Sequence, residues 1–221
     1  MTGNLLRVIC LVSAGFYYLA FAASYRRKEK GGVISFVLWM IGLALNASIV
    51  INNWEGTYFN FNEEKILNLA SRAKDLGVEL MVLDDGWFGA RNDDWRGLGD
   101  WYCNMDKLEN GISGLSEKVE ALGLKFGLWF EPEMISPDSD LFRAHPEWAI
   151  RVPGREASYG RNQLVLDLTR QDVRDYIVNA LDAVLSASPI AYVKWDYNRH
   201  ISDMYSATLT NQGEFFHRYI L

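Results

Sequence analysis

Four times in this chain an apolar run of strand-forming residues ends in carboxylate and tryptophan. The runs are SIVINNWE (48–55), ELMVLDDGW (79–87), KFGLWFEPE (125–133) and IAYVKWDYNR (190–199). A parallel strand buried on both faces is apolar through its middle. Polar side chains are tolerated at its carboxyl end, where α/β folds build their sites. Helical patterns separate the four runs. The layout predicts an α/β fold over residues 49–221, a partial (β/α)8 TIM barrel of about four β/α units. The chain has 221 residues, and a complete barrel of this kind typically needs about 250.

The intervening pattern supports the same reading. Asn62–Leu76 predicts a helix capped by Asn62, with Glu63 and Glu64 in its first turn and Ile66, Leu69, Ala70 and Ala73 on its apolar face. Gly77 ends it. Ser113–Leu122 predicts the next helix, Asp138–His145 a short one, and Arg170–Ala187 a longer amphipathic one. Leu164–Asp167 counts as a further strand on its apolar pattern. The stretch between Asp85 and Ile112 is a long connection rich in aromatic residues, which argues for an ordered functional loop.

The first 48 residues differ in kind. Residues 5–24 and 33–51 are apolar and long enough to cross a bilayer, at about 20 residues each. Ala20-Phe21-Ala22 also resembles a signal-peptide cleavage site, but the basic cluster Arg26–Lys30 argues against simple export. Residues 1–51 carry five cations against one Glu, a net +4, whereas the whole chain carries -6 and the remainder therefore -10. The pair reads as a membrane hairpin with its basic turn inside, as a buried helix pair, or as a segment foreign to the rest of the chain. The second run passes into Asn52–Trp54 without a linker, so Ile49–Asn53 cannot be both helix end and barrel strand. Localisation follows the same fork: membrane if the hairpin is genuine, cytoplasmic otherwise.

Acidic character argues against nucleic acid as a partner. Two cysteines and three histidines show no metal spacing, and no phosphate loop is present, so neither metal nor cofactor is expected. Carboxylates with tryptophans at a barrel rim point to a sugar: indole faces stack on a pyranose and carboxylates accept from its hydroxyls. Asp196 is the candidate nucleophile, with Lys194 two residues earlier on the same strand face to keep it ionised. Asp84 and Asp85 suit hydroxyl binding, and Trp54 and Trp129 are candidate walls. The plainer readings stay open: core packing for each Trp, helix capping for each Asp, and structural roles for Glu131 and Glu133. Arg161 could reach the rim or cap the fold.

The stretches INNWEGTYFNF, VLDDGWFG, LGDWYCNMDKLENGI, LKFGLWFEPEMISPDSDLFRAHPEW, RNQLVLDLT and YVKWDYNR resemble the catalytic domain of family 36 glycoside hydrolases, the bacterial-type α-galactosidases. The resemblance implies a β/α barrel that releases terminal α-galactose from melibiose and raffinose-type sugars with retention, in homo-oligomeric full-length proteins. It implies Asp196 as nucleophile. It implies substrate contacts at Trp54, Asp84, Asp85, Trp129, Arg161, Lys194 and Asn198. It also makes Leu164–Asp167 an extra extended piece in the third connection. The family's acid/base Asp lies in a stretch that no residue here matches. The chain alone is therefore expected to be inactive and poorly soluble. A galactosyl-transferring relative of the raffinose-synthase kind, or a membrane protein with a non-catalytic sugar-binding module, are the alternatives.

Overall fold

The computed structural model describes residues 48–220. The chain divides into two compact units, Met1–Ile49 and Val50–Leu221. The second carries the sheet and the candidate site. The expected hairpin falls outside the described residues up to position 47. Its last residues are a correction: Val50–Asn52 is strand β1, paired in parallel with Leu80–Val82. The second apolar run therefore does not end as a membrane helix. Among the described residues no helix is long and apolar enough to cross a membrane.

Four parallel strands form the main sheet in the order β1, β2 (Leu80–Leu83), β3 (Lys125–Phe130) and β6 (Tyr192–Trp195). Parallel neighbours need a crossover, and helices supply each one. α1 (Trp54–Thr57) and α2 (Glu63–Asp75) join β1 to β2; α3 (Gly111–Ala121) joins β2 to β3; α4 (Asp140–Ala144) and α5 (Gln171–Ser186) lie between β3 and β6. A final helix, α6, spans Phe215–Ile220. α2 begins where the sequence says it should. The Asn62 side chain accepts from Lys65 N at 3.0 Å, and Gly77 leaves the helix at φ +83°. Ile66, Ala70 and Ala73 are its buried stripe.

Burial follows position in the sheet. All four residues of β2 are buried, and in β3 only Lys125 is not fully buried. β1 and β6, the edges, are half-open. Because the strands run parallel and in register, their carboxyl ends share one rim. Trp129 pairs with Lys194 and Phe130 with Trp195. Leu164–Asp167 is not a strand of this sheet. Leu164–Val165 (β5) pairs antiparallel with Met134–Ile135 (β4) in a separate two-stranded sheet, as an extended piece inside the third connection.

Three aromatic residues of the long loop, Trp87, Phe88 and Trp101, belong to the core, whereas Trp95 and Tyr102 are exposed. Trp87 and Phe88 are fully buried. The Trp87 indole N–H donates to Trp129 O at 2.8 Å, and the Phe88 ring lies parallel to that of Trp129 at 6.0 Å. Gly127 in β3 is a point of close approach. A Cβ there would meet the Tyr192 Cβ, Cδ1 and carbonyl oxygen at 3.1 Å each. Gly127→Ala should therefore push β3 from β6 and destabilise by about 1–3 kcal/mol. An unchanged urea midpoint would count against this packing.

Candidate active site

The eight residues singled out from sequence line one hollow of about 200 Å³: Trp54, Asp84, Asp85, Trp129, Arg161, Lys194, Asp196 and Asn198. Two other hollows are larger, about 390 Å³ beside Ala149–Arg155 and about 420 Å³ against α2. Neither lies at the strand ends, where several strands can aim groups at one point.

Asp196 follows β6, and its N–H continues the ladder to Phe130 O at 2.8 Å. Three donors hold its carboxylate. The Trp129 indole N–H and the Asn198 amide each donate to Oδ2 at 2.9 Å, and Tyr197 N donates to Oδ1 at 2.9 Å. Burial pushes this carboxyl up, but the hydrogen bonds from Trp129, Asn198 and Tyr197, with the Lys194 charge, leave it below the usual range. It is a poised anion.

The Lys194 charge helps keep Asp196 ionised, as the sequence reading expects, but its ion pair is made elsewhere. Its Nζ donates to Asp84 Oδ2 at 2.7 Å. That oxygen also accepts from the Asn52 amide, while Asn53 Oδ1 receives the Asp84 N–H at 2.8 Å. The end of β1 thus fixes the end of β2, and the Asp84–Lys194 pair faces Asp196 across the hollow's floor.

Asp85 turns the other way and is gripped by Arg91, whose Nε and Nη2 donate at 3.0 and 2.8 Å. Burial pushes the Asp85 carboxyl up and the guanidinium pulls it back, with a net rise. Gly86 permits this turn. At φ +103°, a Cβ would strike Phe59 Cδ1 at 2.9 Å. Lys107 Nζ donates to Gly86 O at 2.8 Å from below.

Trp129 is 1 % exposed, so it offers the hollow an edge and an N–H, not an open face. Trp54 is half-buried and lines the hollow. Arg161 and Asn162 have φ of +49° and +61°, between paired Gly160 and Gln163. This is a tight turn that suits Asn but strains Arg, the kind of strain found at functional sites. The Arg161 guanidinium lies 3.6 Å from Asp94. Among the described residues no cluster could hold a metal ion.

Sequence reasoning did not count Asn52, Asn53 or Arg91 among the site residues, and gave Glu131 a structural role. Three of the four lie beside residues already singled out. Arg91 carries no such signal, since only the loop's path brings it back to Asp85.

A family profile described as Melibiase matches residues 44–221. The chain belongs to the melibiase family. Among curated members, it is 59 % identical over 175 residues to α-galactosidase AgaA of Geobacillus stearothermophilus and 52 % identical to α-galactosidase 1 of Pediococcus pentosaceus. Each match covers 78 % of this chain and 24 % of the relative. The chain thus spans about a quarter of the length of these melibiases. The crystal structure of the Geobacillus enzyme, a family 36 glycoside hydrolase, superposes with a TM-score of 0.76 at 58 % identity, covering the same 78 % and 24 %. A variant of that enzyme is known in complex with raffinose. The described α/β fold therefore matches the first part of a melibiase barrel.

Proposed function

We propose that the hollow binds the terminal galactosyl unit of α-galactosides, and that the chain is part of a retaining α-galactosidase acting on melibiose and raffinose-type sugars. The observation that carries this reading is Asp196: an ionised carboxylate, aimed into a hexose-sized hollow by three hydrogen bonds. Trp54 is the wall. Asp84, Lys194 and Arg161 supply hydroxyl partners, with Asp85 behind them, and Trp129 and Asn198 hold Asp196.

The reaction is a double displacement. An Asp196 oxygen attacks the anomeric carbon while the bond to the leaving oxygen breaks. A galactosyl ester forms, and water then displaces Asp196. The leaving oxygen needs a proton. The other two carboxylates lining the hollow are engaged in ion pairs, Asp84 with Lys194 and Asp85 with Arg91, so neither is placed to be the acid. The 221-residue chain should bind galactose yet show no turnover of melibiose. Exposed Tyr192 and Trp195 on β6, with Tyr197 just beyond it, should also limit its solubility.

Isothermal calorimetry on the purified chain tests the reading. Galactose should bind with at least about tenfold preference over glucose, since a site that hydrogen-bonds one hydroxyl rejects its misplacement. Equal binding of both, or none of galactose, would sink it. A transferase reading gains no support from these residues, because the choice of acceptor is made outside the galactosyl hollow.

A further inference from the structure

Glu131 closes β3 and is 1 % exposed, yet the double displacement gives it no task. Its Oε1 accepts the Asn198 N–H at 2.5 Å. The side chain of that same Asn198 donates to Asp196 Oδ2 at 2.9 Å. A buried carboxylate on one strand is thus joined to the candidate nucleophile on the next through a single asparagine. Residues 196–198 have already left the sheet. Their hold on β3 is the Asp196 N–H to Phe130 O, the Trp129 indole N–H to Asp196 Oδ2 and this Glu131 contact, the only one of the three made to Asn198. The charges facing Glu131 are those of Asp196 and Asp85, both of its own sign, while Lys194 faces Asp196. Burying an acid among anions is costly. A side chain serving only to fill space would be apolar.

We propose that Glu131 is a positioning residue for Asp196: it clamps the Asn198 main chain so that the Asn198 amide stays on Oδ2 of the nucleophile. The proposal rests on the reading of Asp196 as nucleophile. Glu131 touches no substrate and acts only through Asn198. Burial pushes its carboxyl up to about 7, against the hydrogen bonds from Asn198. The clamp therefore has a titration of its own, well separated from that of Asp196.

The test follows the Asp196 carboxyl carbon by NMR in the full chain, using aspartate labelled at that carbon. Glu131→Ala should lower the acid dissociation constant of Asp196 by about three- to tenfold, through loss of a hydrogen bond to the charged form. Asn198→Ala should do the same. The double variant should add less than about twofold, because both changes remove one contact. Glu131→Gln keeps the shape and one acceptor. It should leave the main midpoint within about twofold of the parent and abolish a smaller inflection near pH 7, where Glu131 titrates. The proposal is overturned by an unmoved Asp196 in folded Glu131→Ala, by effects that multiply in the double variant, or by an inflection that survives Glu131→Gln. If Glu131→Ala does not fold, the Gln variant decides alone. The signal needs no sugar, so failure here and failure of the galactoside reading are told apart.

Discussion

Arg91→Met should be among the most damaging single changes to this fold, costing about 3–5 kcal/mol of stability. The side chains of Arg91 and Asp85 are 4 % and 6 % exposed. The guanidinium also donates to Arg96 O at 3.0 Å and lies 5.4 Å from the Phe59 ring. Its removal leaves a buried carboxylate without its hydrogen-bonded cation, with only the Lys107 charge nearby. A domain has only about 5–15 kcal/mol in hand, so the urea midpoint should fall by a large fraction. The sign of the pH dependence follows from the same burial. Without Arg91 the Asp85 carboxyl is pushed further up in the folded state than in the unfolded chain. The folded form then holds the extra proton, so the deficit shrinks as pH falls toward the ordinary carboxylate range and grows as pH rises through it. Changing Asp85 to Leu in the same chain should recover much of the loss, since an apolar pair of similar volume needs no counter-ion. A single-variant cost below about 1 kcal/mol would mean that water already reaches this pair.

The second large effect concerns the nucleophile. α-Galactosyl fluoride needs no acid, because fluoride leaves without a proton. The chain should therefore form a covalent galactosyl ester with it, one per chain, visible in the intact mass and mapping to the peptide that holds Asp196. With no base facing the ester, it should persist. Asp196→Asn should reduce the labelling rate on the order of 10⁴-fold or more, as loss of a nucleophile does elsewhere. Asp84→Asn should weaken galactose affinity, and any residual ester should still sit on Asp196. Labelling that survives Asp196→Asn, or that maps to Asp84, would remove the mechanism.

Much of this architecture was legible in the residues because it is a matter of period and punctuation. An apolar run closed by charge marks a buried parallel strand with a polar carboxyl end, and all four strands of the main sheet lie inside the runs read from sequence. Caps such as Asn62 and stops such as Gly77 are local events and leave local marks. Leu164–Val165 misled for the same reason: two buried apolar residues have the composition of a strand whichever sheet they join. Pairings inside the site were the hard part. Lys194 sits two residues from Asp196 and adds its charge there, but its hydrogen bond is not made to that neighbour. The bond goes instead to Asp84, 110 positions earlier, because β2 and β6 lie on either side of β3 and aim across it. For Trp129 the residues alone leave a stacking wall and core packing both open. Its faces are covered from within the loop, and only distant packing decides that.

The indole of Trp129 has one more use. Its N–H donates to the carboxylate of Asp196, whose charge esterification would remove, while its ring is shut off from solvent. Labelled with nitrogen-15, that one proton–nitrogen pair would change frequency when the carboxylate is capped and return when it is freed. The protein carries a built-in reporter of its own covalent state, needing neither dye nor chromogenic sugar.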